Sequence, residues 1–576
     1  MKRYITGLAL IQLIASSLLC FKFNYSPGFT LAHFATITFV SAIVAGGITL
    51  MRAMIFSKPV GRIVTHLFAF GYWAFVFLFY LLVLGSNFFW GNTITFDILG
   101  NYLKNFNEVI SIFPVERWII LTAIGLTIAV IALLYYWVRI REPKERGIRP
   151  ILIFRYPKVL GIGLLGLILC LIIFSKPLLD LKRTLQFQQE PLSYFIWGPM
   201  WEIHSDQLLL TQPPKTVADE ECIASIEAKP ATDRIAFVIL LDALRSDHLP
   251  FYGYSRNTAP FLDSISKTGK LSKIPYAFSG STNTIGGVSS LFYSRSWDSL
   301  NLTQLNLMQY FKLSGFETYA FLTGYHSGWY GLSAMYRNSC DHFFETTASH
   351  GKAVDDDFVT LSRIESTRFK AGDFVYIHLL STHDVGKRED RFRRYRPDKI
   401  GLTTDQTTPL VNHYDNGILQ ADYIISRIFK HLESDSLLSK ATIFIVGDHG
   451  NLFGEEGKMG HAGGLHPKLL ETPILIYDAN SQTWPERKIA TLKDIAPTFS
   501  ELFFNEDVAC WRGRSLLKEQ QGPFTETVTA ATVKTALYNG LLTMNSDSIQ
   551  LKITDKIGHF QGLYQKIGQH DWMLIK

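Results

Sequence analysis

Apolar residues come in two rhythms along this chain. Up to about residue 175 they form long blocks, roughly at 4–22, 31–51, 66–88, 118–138 and 159–175. A bilayer-crossing helix needs about 20 such residues, so the pattern predicts five membrane helices in a domain over 1–175. Beyond residue 233 the apolar runs are short: "IAFVILL" (235–241), "TYAFL" (318–322), "FVYIHLL" (374–380), "TIFIV" (442–446) and "PILIY" (473–477). They lack the in–out alternation of half-exposed strands, which suits parallel strands covered on both faces. Helical patterns lie between them. In the clearest, "YDNGILQADYIISRIFKHL", Tyr414, Ile418, Ile425, Ile428 and Leu432 share one face. Alternating strands and helices predict a doubly wound α/β sheet over 233–520. The tail, 521–576, has strand-like runs and is expected to add a small β element to that main sheet. Segment 176–232 reads as a linker whose Tyr194, Phe195, Trp197 and Trp201 suit a lipid–water interface.

Charge orients the membrane half. Lys2 and Arg3 precede the first block, Arg52, Lys58 and Arg62 follow the second, and seven basic residues from Arg139 to Lys158 follow the fourth. The other connections are poor in Lys and Arg, so the N-terminus is expected inside and everything after about 176 outside. A cleaved signal peptide ending near "SSLLC" is the alternative for the first block, but four more spans favour an anchor. The formal net charge of +6 over 576 residues gives no case for nucleic acid, and no nucleic-acid-binding motif is present. Of five Cys, Cys222, Cys340 and Cys510 fall in the outer part without zinc-ribbon spacing, which allows one disulfide of unspecified pairing.

Candidate chemistry gathers where strands end. Asp242 follows "IAFVILL", His383 follows "FVYIHLL", and Asp448 and His449 follow "TIFIV"; His461 comes later in a Gly-rich loop. Doubly wound sheets bind ligands outside the carboxyl ends of their strands. Any one of these residues alone reads more simply as a loop-capping Asp or a hydrogen-bonded His. Together, two carboxylates and a His favour a divalent cation such as zinc or manganese. The turn "YAFSGSTNTIGGVSSLF" (276–292) leads into a small-residue helix start, whose N–H groups would face an anionic ester and whose Ser or Thr hydroxyls could serve as nucleophile.

Several motifs together resemble the alkaline phosphatase superfamily, in its membrane-anchored, sulfatase-like branch of phosphoethanolamine transferases and lipoteichoic acid synthases. "LLDALRSDHLPFYGYSRNTAPFLD" resembles the first metal motif, with Asp242 as ligand. "GSTNTIGGVSSLF" is similar to the nucleophile segment, and counting back from Phe292 puts the nucleophile at Thr282. "HLLSTHDVGK" resembles the central His motif, with His383 contacting the phosphoryl group or a second metal. "VGDHGNLFGEEGKMGH" matches best, with Asp448 and His449 as ligands and His461 downstream. The resemblance covers roughly 233–505. The family's usual Pro and Cys are Ser289 and Ser290 here, and its usual Glu is Asn451.

The resemblance implies a metal held by Asp242, Thr282, Asp448 and His449, with Thr282, His383 and His461 as catalytic residues. It implies transfer of a phosphoethanolamine or phosphoglycerol headgroup from a membrane phospholipid to an envelope glycolipid or glycan, outside the bacterial inner membrane. A phosphodiester or sulfate ester hydrolase and a non-catalytic regulator of envelope lipid synthesis are the alternatives; the oxidised-nucleophile motif of true sulfatases does not occur near 276–295. The run "KREDRFRRYRPDK" (387–399) is either a solvated face or a site for anionic lipid phosphates.

Overall fold

The computed structural model describes residues 59–90, 115–140 and, with short gaps, 217–576, together with a few single positions nearer the N-terminus. The predicted first and fifth spans, most of the second, and the aromatic segment at 194–201 lie outside the described residues. The chain divides into two compact units. The first contains most of helix α1 (Pro59–Trp90) and of α2 (Arg117–Ile140), which overlie the third and fourth predicted spans. Both expose large apolar side chains, among them Leu67, Leu81, Leu126 and Leu133. Among the described residues alone, no helix is long and apolar enough to cross a membrane, so the five-span expectation rests on the sequence.

The second unit is built on a seven-stranded sheet. Its strands are β1 (Ile235–Leu241), β2 (Leu271–Lys273), β3 (Glu317–Leu322), β4 (His342–Glu345), β5 (Asp373–Leu379), β6 (Ala441–Gly447) and β7 (Ile474–Asp478). Their spatial order is β2-β7-β6-β1-β5-β3-β4. The five strands from β6 to β4 run parallel. β7 runs antiparallel to β6, and β2 antiparallel to β7. The sheet is therefore mixed, and "PILIY" departs from the parallel expectation. Its continuous apolar run signals burial on both faces, which an antiparallel strand inside a covered sheet shares.

Residues of β1 alternate between two cores. Ala236, Val238 and Leu240 pack with α3 (Thr284–Tyr293) and α6 (Ile495–Phe504) through Val288, Leu291, Phe292, Ile495 and Phe499. Ile235, Phe237, Ile239 and Leu241 pack on the other side with α4 (Asp357–Glu365) and α5 (Thr407–Ser434). α5 buries Tyr414, Ile418, Ile425, Ile428 and Leu432, the face read from its periodicity. Each buried Leu, Ile or Phe contributes about 1.5–3 kcal/mol, which is why both faces must be covered.

The tail does not extend the main sheet. It forms its own antiparallel sheet of five consecutive strands, β8 (Phe524–Thr532), β9 (Thr535–Asn545), β10 (Ser548–Asp555), β11 (Phe560–Lys566) and β12 (Trp572–Leu574). One face, with Val528, Leu542, Leu551 and Ile553, closes over Phe278, Leu465, Leu470 and Ile489. A buried ion pair between Lys566 and Glu471, with Trp572 Nε1 donating to the same carboxylate, ties it down. Cys222 and Cys510 form a disulfide, and Cys340 is free.

Candidate metal centre and active site

Strand register assembles the centre. Leu241 at the end of β1 lies opposite both Leu379 of β5 and Gly447 of β6. The next residues, Asp242 and Asp448, therefore emerge side by side, and His449 follows Asp448. The three offer ligand atoms within 4.8 Å of one another, and all are buried. His449 Nε2 lies 3.5 Å from Asp242 Oδ1 and 3.5 Å from Asp448 Oδ2. The loops are pinned from outside. Tyr414 of α5 donates to the Ala243 carbonyl and accepts from the Arg245 N–H. Arg245 in turn spans the Asn451 carbonyl, Glu455 and Asp247.

The donor set fits a dication. Asp448 Oδ1 accepts the backbone N–H groups of Ala243 and His449, both at 2.9 Å, while Oδ2 has no hydrogen-bond partner. Asp242 Oδ1 likewise has none. The Nδ1 of His449 donates to the Gly450 carbonyl at 2.8 Å, leaving the Nε2 lone pair facing both free oxygens. Burial above all, then the Asp448 carboxylate, pushes the Asp242 carboxyl well above its usual range, against the pull of His449. Two buried carboxylates without a cation beside them are costly, and a divalent ion at their free oxygens removes that cost.

The hydroxyl that reaches this cluster is Thr284, not Thr282. Thr284 Oγ lies 3.2 Å from His449 Nε2 and 3.5 Å from Asp242 Oδ2. Thr282 is buried, but among the described residues no hydrogen bond links it to the cluster. The physical reason lies in how α3 begins. Asn283 is its N-cap, accepting from Gly286 N at 2.9 Å, so Thr284 is the first helical residue and stands at the helix mouth. Gly287 brings this turn against the Asp-His-Gly loop, because a Cβ there would collide with the Asp448 carbonyl. An N-cap Asn followed by Thr and paired glycines was the available signal in the sequence.

His383 and His461 flank the same centre. His383 Nε2 lies 3.9 Å from Asp242 Oδ1; the His461 ring is 4.5 Å from that of His449 and 5.2 Å from that of His383. Burial first, then the neighbouring His449, holds both imidazoles well below their usual range, so both are neutral near pH 7. His378, inside β5, also reaches the cluster, with Nε2 3.2 Å from Asp242 Oδ2. The sequence reading did not single it out, because a His within an apolar strand reads as core.

Residues 234–505 match the sulfatase family model. That match covers just under half of the chain, and over it the chain is similar to the sulfatase family. Curated relatives of the chain are phosphoethanolamine transferases. The Kdo(2)-lipid A phosphoethanolamine 7''-transferase of Salmonella typhimurium is 24% identical over 304 residues, which is 50% of this chain and 50% of that one. The phosphoethanolamine transferase EptA of the same organism is 22% identical over 374 residues, 60% of this chain and 65% of the relative. The chain thus spans about half to two-thirds of the length of these relatives. Among solved structures, the integral membrane protein EptA from Neisseria meningitidis overlaps 88% of this chain and 98% of its own, with a TM-score of 0.48 and 16% identity.

The basic run beyond His383 is largely answered within the second unit. Lys387 pairs with Asp356, Arg393 with Asp398 and Asp390, and Arg391 with Glu389 while lying over Phe358, Phe392 and Tyr423. Arg388 donates to the carbonyls of Gly386 and His383. These residues brace the loop behind His383, which weakens the case for a phosphate-binding surface.

Proposed function

We propose that this chain is a membrane-anchored, metal-dependent transferase. It would move a headgroup, phosphoethanolamine or phosphoglycerol, from a membrane phospholipid to an envelope glycolipid or glycan, through a covalent intermediate on Thr284. The observation that carries this reading is the Thr284 hydroxyl at the mouth of α3, 3.2 Å from His449 Nε2 and beside two buried carboxylates with free oxygens. The names of the curated relatives favour phosphoethanolamine over phosphoglycerol.

Asp242, Asp448, His449 and Thr284 would hold the cation, zinc or manganese. Bound there, it supplies Lewis acidity that lowers the hydroxyl's pKa and polarises the phosphoryl oxygen. Thr284 Oγ forms the new bond to phosphorus, and the bond from phosphorus to the diacylglycerol oxygen breaks. The proton leaves Oγ for a neutral imidazole, His383 or His461, and passes to the departing diacylglycerol oxygen. The N-terminus of α3 stabilises charge on the phosphoryl group. An oxygen of the acceptor's hydroxyl or phosphate then bonds to phosphorus, the bond from phosphorus to Thr284 Oγ breaks, and the acceptor's proton returns through an imidazole to Oγ.

In this reading residues 1–175 form the five-span anchor, 176–232 the interfacial linker, 233–520 the catalytic domain and 521–576 its β addition. The anchor keeps donor and enzyme in one plane. The Cys222–Cys510 disulfide supports an outer, oxidising location for the catalytic domain.

The test is an intact mass of the detergent-purified protein after incubation with mixed phospholipids, compared with Thr284→Ala and Thr282→Ala. An adduct lost only in Thr284→Ala supports the reading, and its mass names the headgroup. An adduct lost only in Thr282→Ala returns the nucleophile to that position. Release of free headgroup to water without acceptor labelling makes the protein a hydrolase, and no metal with no adduct makes it a regulator.

A further inference from the structure

Asp242 is reached from inside the sheet as well as from the metal side. His378 on β5 points its Nε2 at Asp242 Oδ2 across 3.2 Å, and its Nδ1 lies 3.0 Å from the hydroxyl of Tyr376, two residues earlier on the same face. Both side chains are fully buried. Neighbouring His326 does not compete for either nitrogen. It meets His378 by its ring edge, 4.6 Å between centroids, while its own nitrogens are taken by Tyr336 and the Thr323 carbonyl.

The chemistry of these groups fixes where the proton sits. A neutral imidazole carries one N–H and one lone pair. If Tyr376 accepted from Nδ1–H, the Nε2 lone pair would face a carboxylate oxygen at 3.2 Å, which is repulsive. If Tyr376 donates to Nδ1, the proton sits on Nε2 and is given to Asp242 Oδ2. With Asp242 ionised beside a cation, only the second arrangement satisfies all three residues. It occupies Oδ2 from behind and leaves Oδ1, which has no partner, turned toward Asp448 and His449.

We infer that Tyr376 and His378 are positioning residues: the phenol sets the imidazole tautomer, and the imidazole orients Asp242 so that one defined oxygen faces the cation. The inference rests on the cation reading of the Asp242–Asp448–His449 cluster. It adds two residues that touch neither cation nor substrate, and it predicts that a single buried hydroxyl controls metal affinity from two residues away.

The probe is Zn2+ alone, titrated into the full-length, detergent-purified protein against a chromogenic chelator. Tyr376→Phe keeps the ring packing and removes only the hydroxyl. It should weaken Zn2+ binding roughly 10- to 100-fold, the range typical of lost outer-shell partners, while the metal-free melting temperature stays near wild type. His378→Leu should weaken binding at least as much. His378→Gln should restore most of the affinity, because its amide places an N–H near the same point without needing a tautomer. The decisive variant combines His378→Gln with Tyr376→Phe, where loss of the hydroxyl should no longer matter. Unchanged affinity in Tyr376→Phe, or the same loss with and without His378→Gln, overturns the inference and leaves the pair as core packing. A wild-type protein that takes up no Zn2+ overturns the cation reading and this inference with it. A wild type that binds while the variants match it overturns this inference alone.

Discussion

The hydroxyl of Thr284 stands 3.2 Å from Nε2 of His449, joining the first residue of a helix to the loop after a strand more than a hundred residues later. If this contact marks the nucleophile, Thr284→Ala should lower headgroup transfer on the order of 10³-fold or more, because a covalent route is lost. Thr284→Ser should retain a measurable fraction, and Thr282→Ala should stay near wild type. Initial rates of diacylglycerol release from a labelled phospholipid would separate the three variants.

Metal binding should be visible as stability. A ligand at a thousandfold excess over its Kd adds about 4 kcal/mol to the folded state. Saturating Zn2+ should therefore raise the melting temperature of the wild type, and a chelator should reverse the rise. Asp448→Asn should abolish the metal-dependent shift. Its metal-free form should be at least as stable as the metal-free wild type, since one of two crowded buried carboxylates is gone.

Gly287 sets how closely α3 approaches the Asp448 carbonyl, and a methyl group there has no room. Gly287→Ala should cost about 1–3 kcal/mol, as overpacking does. Because the same shift carries Thr284 away from His449, transfer should fall by more than the stability loss accounts for. Melting curves beside kcat at saturating donor would show the gap.

His466 provides a pH prediction outside the metal cluster. Its Nδ1 accepts the Lys468 N–H and caps the short helix Pro467–Leu470, a task only a neutral ring can perform. Burial is the main cause holding its pKa down at about 4. The unfolded chain, with a His pKa of about 6.5, binds this proton more readily, so the stabilising contribution is complete above about 6.5 and is lost as pH falls toward 4, up to about 3 kcal/mol in all. His466→Asn keeps a capping acceptor without a titratable group. Denaturant midpoints at neutral pH and at about pH 4.5 should lie closer together in this variant than in wild type.

What the sequence made legible follows from which forces act locally. Buried strands announce themselves as unbroken apolar runs, so "IAFVILL" and "TIFIV" pointed to where Asp242, Asp448 and His449 would emerge. Strand direction is not written in such a run, and β7 was expected parallel. Between Thr282 and Thr284 the choice depended on helix phase, which Asn283 sets by capping Gly286 N, and a count from Phe292 passed over that cap. His378 was hidden because its meaning comes from Asp242, on a neighbouring strand. The pairing of Cys222 with Cys510 and the self-contained tail sheet likewise depend on contacts between distant segments.

The link between the tail sheet and the turn before Thr284 has a consequence for folding. The Thr529 N–H of β8 donates to the Gly280 carbonyl at 3.0 Å, and Ser281 pairs with Thr529 as an isolated bridge. The turn that leads to Thr284 is thus held by a strand that follows every strand of the main sheet in the chain. Contacts between segments so far apart in the chain form late, because loop-closure entropy is spent before they stabilise anything. The strand ends that carry Asp242 and Asp448 pair within the main sheet alone, so these carboxylates can come into register before the tail sheet has closed. Thr284 would be held beside His449 only when the tail sheet is in place.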